Sequence, residues 1–221
     1  MAVPAQHPPR TAPARGSVEE DRNRLIVSAA DELICEGGLE GLTIRAVLAR
    51  TGLARRAFYE SFSGKDDLVL AVFEATLREA ADHFGALAAR VGDPLAGLRL
   101  TIDGIVLGRF HLDEDPGEMI DRRAAALSRE HLRLAETRPG ELQRALSPLI
   151  NLIAEQLLAG MQSGQVRGDC DPALVARLIY NLVATTTHTE LIAEEQTGTD
   201  RARREALTQT LWDFCRRAIV A

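Results

Sequence analysis

Arginine side chains dominate one short stretch of this chain. Arg45, Arg50, Arg55 and Arg56 all lie within residues 43–59, and this stretch contains no acidic residue. A guanidinium group donates hydrogen bonds in a planar fork that matches phosphate oxygens and the O6 and N7 atoms of guanine. Positive charge without nearby carboxylates therefore predicts a DNA-binding surface in this stretch.

Two short helices joined by a glycine turn are expected to carry these arginines. Ile44, Val47 and Leu48 are three to four residues apart, which predicts one apolar stripe on a helix beginning at Thr43. Gly52 is expected to end that helix, because glycine accepts the backbone angles of a tight reversal. The next helix contributes Ala57, Phe58, Tyr59 and Phe62. The pattern is that of a helix-turn-helix.

Residues in and after this unit resemble the DNA-binding domain of the tetracycline-repressor (TetR) family. The motifs that carry the resemblance are Gly52-Leu53, Tyr59…Phe62 and Ser63-Gly64-Lys65-Asp66-Asp67-Leu68. It extends from about Arg24 to Phe73, whereas the rest of the chain agrees only in length and helix count. Three positions depart from the family pattern. They are Ala54, where Ser or Thr is usual, Glu60, where His or a neutral polar residue is usual, and Ser61, where a second Tyr is common.

The candidates for DNA contact lie in this resembling segment. They are Thr43, Arg45, Arg55, Arg56, Ala57, Tyr59 and Lys65. For Thr43, Tyr59 and Lys65 the resemblance implies phosphate contacts, which set register, while the arginines contact bases or phosphates. Glu60 is expected to pair with Arg56 one helical turn earlier. The family further implies a homodimer that places two recognition helices roughly 34–36 Å apart on double-stranded, palindromic DNA.

Composition favours an all-α protein of about nine helices. The chain has 221 residues, of which 46% are hydrophobic and only 4% aromatic, and its net charge is −6. An acidic protein does not bind nucleic acid indiscriminately, so its positive charge must be concentrated. We expect a disordered tail at 1–17, a helix-turn-helix domain at 18–64, and a ligand-binding and dimerisation domain at 65–221.

The tail has two interpretations, a solvated segment or a basic arm that touches DNA through Arg10 and Arg15. It has no apolar core and so does not resemble a secretory signal, and no apolar run is long enough to cross a membrane. The three cysteines have no metal-binding spacing and indicate reduced thiols in a cytoplasmic protein. No cofactor or metal is expected.

Capping signals place the helices. Ser17 with Glu20, and Ser63 with Asp66, are expected to begin helices, and Gly37-Gly38 is expected to end the first near Glu36. A long helix should run from Ser63 to about Arg90. Prolines at first helical positions then predict helices near 94–111, 116–136, 139–163 and 172–195, and a last helix is expected near 200–219.

Two expected surfaces of the C-terminal domain follow from the family resemblance. The dimer interface would use apolar residues of the last two helices, namely Leu178, Leu182, Leu211, Trp212 and Phe214. The ligand pocket would be lined by Phe84, Ile105, Phe110, His111, Ile153, Tyr180, Asn181 and Thr185. Such a lining suits a largely apolar effector with one or two polar groups. Alternatively, the residues of both sets are ordinary members of the hydrophobic core.

The combined expectation is a DNA-binding regulator, most simply a repressor released by its effector. Two other classes stay open: an architectural or partner-binding DNA protein without an effector, and an enzyme built on a helical bundle. Enzymatic signals are weak, because no two of the five histidines have zinc-protease spacing and no phosphate-binding glycine loop is present. Cys170 lies between acidic residues, which disfavours a redox sensor. No catalytic residue is assigned.

Overall fold

The computed structural model describes residues 15–108, 118–198 and 200–220, without the side chains of 15–17, 118–122, 195 and 196. These parts form helices and no strand, as composition predicted, with one isolated bridge between Val166 and Val220. The helices are α1 Arg15–Gly41, α2 Ile44–Thr51, α3 Arg55–Tyr59, α4 Lys65–Val91, α5 Pro94–Leu107, α6 Glu118–Thr137, α7 Pro139–Gln162, α8 Pro172–Thr197 and α9 Arg201–Ile219.

The ends of α1 and α4 differ from the sequence prediction. Helix α1 continues to Gly41, although Gly38 breaks it with φ 63° and ψ −164°, so the predicted interruption is a kink rather than an end. Helix α4 begins at Lys65. Its N-cap residue is Gly64 rather than the predicted Ser63, whose backbone N–H and hydroxyl both donate to the carboxylate of Asp67. Ser17 lies inside α1, which already begins at Arg15, so the predicted helix start at Ser17 is wrong. The Asp115-Pro116 start lies outside the described residues.

Prolines begin three of the later helices, as predicted. Pro94, Pro139 and Pro172 all occupy the first turn of their helix. A fourth proline, Pro148, lies inside α7, where it cannot donate to the carbonyl of Arg144 one turn earlier. The hydroxyl of Ser147 donates to that carbonyl instead, at 2.8 Å, so α7 continues through the proline.

Two apolar clusters organise the helices, and α4 belongs to both. Leu68 and Val72 of α4 pack in an N-terminal cluster with residues of α1, α2 and α3. Phe73 and Leu77 of the same helix pack in a larger C-terminal cluster with α5 to α9. Ala126 of α6 also lies in the N-terminal cluster, because α6 packs directly on α1. A shift of α4 or α6 is therefore felt in both halves of the molecule.

None of the helices in the described ranges has a stretch sufficiently long and apolar to cross a membrane.

Candidate DNA interface and internal cavity

The turn between α2 and α3 is built as the sequence predicted. Thr43 caps α2, because its hydroxyl oxygen accepts a hydrogen bond from the Ala46 backbone N–H at 3.1 Å. Gly52 ends α2 in the left-handed conformation, with φ 68°, and donates its own N–H to the Leu48 carbonyl. Phe58 of α3 is fully buried against the N-terminal cluster. The short recognition helix therefore stays in one position although it lacks a side-chain cap at Ala54.

The outer face of α2 and α3 carries most of the predicted DNA-binding side chains. Thr43, Arg45, Arg55, Arg56 and Tyr59 are all exposed. The Arg55 guanidinium lies 5.5 Å from the centre of the Tyr59 ring and 3.4 Å from its hydroxyl oxygen. Stacking of this kind orients an arginine and leaves its outer N–H groups available to a ligand.

Arg50 is a different case, because acidic residues of α1 compensate its charge. Its guanidinium donates to both carboxylate oxygens of Glu36 at 2.9 Å and lies 3.3 Å from Glu32. These hydrogen bonds hold the pKa of the Glu36 carboxyl below its usual value. The expectation of an arginine surface without compensation is thus wrong at this position, where Arg50 ties α2 to α1.

Glu60 pairs with Arg56, as predicted, and also with a second arginine. Arg56 donates to one carboxylate oxygen at 3.1 Å, and Arg22 of α1 donates to the other at 3.0 Å. Arg22 is distant in sequence, so helical spacing gave no signal for it. The carboxylate therefore fixes α3 to α1 and holds Arg56, whose side chain is 91% exposed, at the surface.

Glu60→Gln is expected to raise affinity for random duplex DNA about two- to fivefold, because it removes a negative charge and releases two arginines. Fluorescence anisotropy with a labelled random duplex measures this change. Glu155→Gln, at an exposed site on α7, is the matched control and should change nothing. If Glu60→Gln binds the random duplex with unchanged or lower affinity, Glu60 does not restrain non-specific DNA binding.

Lys65 and Ala57 are placed less favourably for DNA contact than the sequence suggested. The Lys65 ammonium donates to the Leu39 backbone carbonyl at 2.6 Å, so it ties the start of α4 to the end of α1. Asp66 and Asp67 share the first turn of α4, where their charges repel phosphate. Ala57 is half-buried. The predicted phosphate contact of Lys65 would require breaking an internal hydrogen bond.

A small internal cavity of about 60 Å³ lies between α4, α5, α6, α7 and α8. Two of the predicted pocket residues, Ile105 and Tyr180, line it. His188 lines the cavity too. The described residues that line it are Phe73, Thr76, Leu77, Ile105, Gly108, Ala124, Leu127, Ser128, His131, Leu149, Tyr180, Ala184, Thr187, His188 and Leu191.

Four other predicted pocket residues lie elsewhere. The Phe84 ring fills the space beside Gly104, where an added Cβ would come within 2.2 Å of it, so Phe84 is core. Ile153 is fully buried in the same cluster. Asn181 and Thr185 are exposed, because they lie on the outer side of α8. Phe110 and His111 fall outside the described residues.

Two histidines form the polar part of the cavity. The rings of His131 on α6 and His188 on α8 are 4.6 Å apart, centre to centre. Burial lowers the pKa of His131, and burial together with the neighbouring His131 lowers the pKa of His188 to about 4. Both imidazoles are therefore neutral near pH 7. Helical spacing could not pair these residues, since they come from different helices.

Arg123 links the cavity-lining helix α6 to the N-terminal half. Its side chain is 10% exposed, and Nε donates to Asp31 of α1 at 2.7 Å. Another guanidinium nitrogen donates to the hydroxyl of Thr76 on α4 at 3.0 Å. One buried cation thus joins α1, α4 and α6, and Thr76 itself lines the cavity.

Arg123→Met is expected to destabilise the fold by about 2 kcal/mol, a Tm decrease of roughly 4–8 °C, because it leaves Asp31 without its partner. The estimate is below that for a fully buried pair, since Asp31 is 30% exposed. Thermal unfolding followed by circular dichroism measures it. Arg203→Met removes an exposed pair with Glu190 between α8 and α9 and should cost much less. An equal loss of stability in the two variants would contradict the role of Arg123 as a buried link between helices.

An apolar groove of about 530 Å³ runs between α8 and α9. Leu178 and Phe214 line it and are 59% and 64% exposed, and the half-buried Leu182 lies beside them. Leu211 and Trp212, which were predicted for the same interface, are instead buried in the C-terminal cluster. Arg99 covers Trp212, 5.9 Å from its ring centre. Trp212 and Phe214 are two residues apart, so a helix directs them to opposite sides.

Comparison with known proteins agrees with this architecture. Residues 26–72 match the sequence model of the bacterial regulatory proteins of the tetR family. No curated protein matches the sequence.

Solved structures share the fold over nearly the whole chain. A TetR-family transcriptional regulator from Pectobacterium atrosepticum is 22% identical, with a TM-score of 0.71, 95% of this chain covered and 98% of that one. RolR in complex with resorcinol is 16% identical, with a TM-score of 0.67 and coverages of 93% and 90%. FadR from Bacillus subtilis in complex with stearoyl-CoA is 18% identical, with a TM-score of 0.62 and coverages of 87% and 96%. At such identities the likeness establishes the fold.

Proposed function

We propose that this chain is a member of the TetR family and acts as a ligand-responsive, sequence-specific DNA-binding transcriptional regulator. The observation that carries the proposal is the exposed arginine face of α2 and α3 on a protein of net charge −6. Elsewhere the acidic surface disfavours binding to nucleic acid, so this face directs the chain to DNA in one orientation. The division into a DNA-binding domain at 18–64 and a regulatory domain at 65–221 is part of the proposal.

In the proposed complex α3 enters the major groove. Arg55, held by Tyr59, and Arg56, held by Glu60, are the side chains that reach base edges or phosphates. Arg45 and Thr43 lie on the same outer face and contact the DNA backbone. Because α3 has only one and a half turns, its position relies on the contacts of Phe58 and Glu60 behind it.

A homodimer formed through α8 and α9 would supply the second recognition helix. Leu178 and Phe214 leave large apolar surface in solvent, which a second copy would cover. A two-fold axis through this groove brings the same surface of both copies into contact, as in most symmetric dimers. Two α3 helices would then contact an inverted repeat about one DNA turn apart.

The cavity is the proposed effector site, and α6 is the proposed connection to α1. Solved structures of the same fold in complex with resorcinol and with stearoyl-CoA support a ligand-binding role. A ligand that moves α6 would act on Arg123 and Asp31, and through α1 on the position of α3. Its effect on DNA affinity can be no larger than the difference between its affinities for the two arrangements. Release of a repressor from its operator is the simplest outcome. A regulator that acts on bacterial DNA in this way would work in the cytoplasm.

The small size of the cavity supports a second candidate. At about 60 Å³ it is well below the ~300–1,000 Å³ typical of ligand pockets. A regulator or architectural DNA protein without an effector would keep this core closed. The two candidates differ in thermal shift, because only the ligand-responsive protein is stabilised by a small molecule.

Selection from a pool of randomised duplexes tests the proposed function. The full chain is incubated with the pool at physiological salt, and bound duplexes are sequenced after several rounds. We expect enrichment of an inverted repeat whose half-sites are about one DNA turn apart. Enrichment of no sequence would contradict sequence-specific binding, whatever the ligand.

A further inference from the structure

Three polar atoms of the cavity have no hydrogen-bond partner among the described residues. They are the Thr187 hydroxyl and the Nδ1 atoms of His131 and His188. Thr187 is only 4% exposed. Its neighbours Thr186 and Thr189 donate to the carbonyl one turn back, at 2.7 and 2.9 Å, and Thr187 does not. Buried polar groups are nearly always paired, so this cluster points to a missing polar partner.

The charge of that partner is limited by its surroundings. Among the described lining residues there is no lysine, arginine, aspartate or glutamate. The nearby buried Glu130 has both carboxylate oxygens bonded to Arg133, at 2.8 and 2.7 Å. Among the described lining residues an ionised ligand would find no counter-charge, and its burial would carry a large desolvation cost. The site therefore suits an uncharged molecule.

The walls of the cavity favour a ligand that contains an aromatic ring. The rings of Phe73 and His131 lie edge to face with their centres 6.2 Å apart, and the Tyr180 ring centre lies 6.3 Å from that of His131. Leu77, Leu127 and the other leucines complete an apolar enclosure. Aromatic groups pack well against such edges and faces.

We infer that the cavity, in the regulatory role proposed above, binds a small uncharged aromatic compound whose hydroxyl group is held by Thr187, His131 and His188. A hydroxyl both donates and accepts, so it satisfies a neutral imidazole in either tautomer as well as the threonine. The lowered pKa values of both histidines keep them neutral and fit the same partner.

The size of the cavity gives this ligand a mechanical effect. An apolar cavity of about 150 Å³ accommodates benzene, whereas this one measures about 60 Å³. A single ring thus needs more space than the described walls leave, and an outward movement of α6 or α8 would provide it. Movement of α6 acts on the Arg123–Asp31 pair, which gives the ligand a direct route to α1.

The test uses three probes that share one ring and one methyl group: 4-methylphenol, toluene and 4-methylbenzoate. Their affinities for the full chain are measured by ligand-observed NMR titration without DNA. We expect 4-methylphenol to bind on the order of tenfold tighter than toluene, and the charged 4-methylbenzoate to bind more weakly than either. Equal binding of 4-methylphenol and toluene, or tighter binding of 4-methylbenzoate, overturns the inference.

Variants locate the hydroxyl contact. Thr187→Val keeps the shape of the side chain and should reduce the preference for 4-methylphenol over toluene severalfold, and His188→Phe should do the same. Thr185→Val is the matched control, because it makes the same change on the exposed side of α8. A preference that survives both cavity variants overturns the assignment. Since no DNA is present, failure here is distinct from failure of the operator selection.

Discussion

The Arg55→Ala, Arg56→Ala double variant is expected to bind the selected operator at least about thirtyfold more weakly than the unaltered chain. Each arginine that reads a base contributes on the order of 1–3 kcal/mol. Both side chains lie on the exposed face of α3 and are oriented by Tyr59 and Glu60. Fluorescence anisotropy with the operator duplex, at fixed salt, gives the two dissociation constants.

The matched control for this variant removes the same charge elsewhere. Arg90 at the end of α4 and Arg144 on α7 are exposed, and neither forms an ion pair within the described ranges. The Arg90→Ala, Arg144→Ala double variant should bind the operator within about twofold of the unaltered chain, since it lies outside the interface. Equal losses in the two double variants would show that only net charge matters, and the placement of α3 would then fail.

Leu178→Glu is expected to split the dimer and lower affinity for the inverted repeat by about a hundredfold or more. The leucine is 59% exposed beside Phe214 in the groove between α8 and α9, where two glutamates would meet in the proposed dimer. Two linked half-site contacts exceed a single contact by roughly 10²–10⁴ in affinity. Light scattering gives the assembly state, and anisotropy gives the DNA affinity.

Leu132→Glu is the control for the interface. Leu132 is also an exposed leucine, at 47%, but it lies on α6, next to Arg133, which contacts Asp66 at the start of α4. The added charge is the same, and the groove is untouched. This variant should remain dimeric. If Leu178→Glu also remains dimeric, the groove is not the interface between protomers.

Local features of the DNA-binding unit could be predicted because neighbours in sequence determine them. The Thr43 cap, the Gly52 turn and the Arg56–Glu60 pair all join residues within one or two turns. The contacts that position this unit were not predictable in the same way. Arg22 contacts Glu60, which is 38 residues away in sequence, and Arg123 contacts Asp31, which is 92 residues away. No periodic sequence pattern predicts such pairs.

The cavity and the interface show a second limit of sequence patterns, which is helix rotation. Helix α8 is apolar around much of its circumference, so its sequence does not say which side faces the cavity. The sequence predicts Thr185 as a pocket residue, but Thr187 lines the cavity instead. Two residues correspond to a rotation of roughly 200° around a helix. The same rotation separates buried Trp212 from exposed Phe214 on α9.

The ratio of affinities for the selected inverted repeat and for a shuffled duplex of equal length tests the central claim most directly. Both duplexes are titrated with the full chain at one physiological salt concentration, because phosphate contacts alone would bind them equally. A sequence-specific regulator is predicted to prefer the inverted repeat by about a thousandfold or more, with two protomers bound per duplex. A ratio near one would contradict the account.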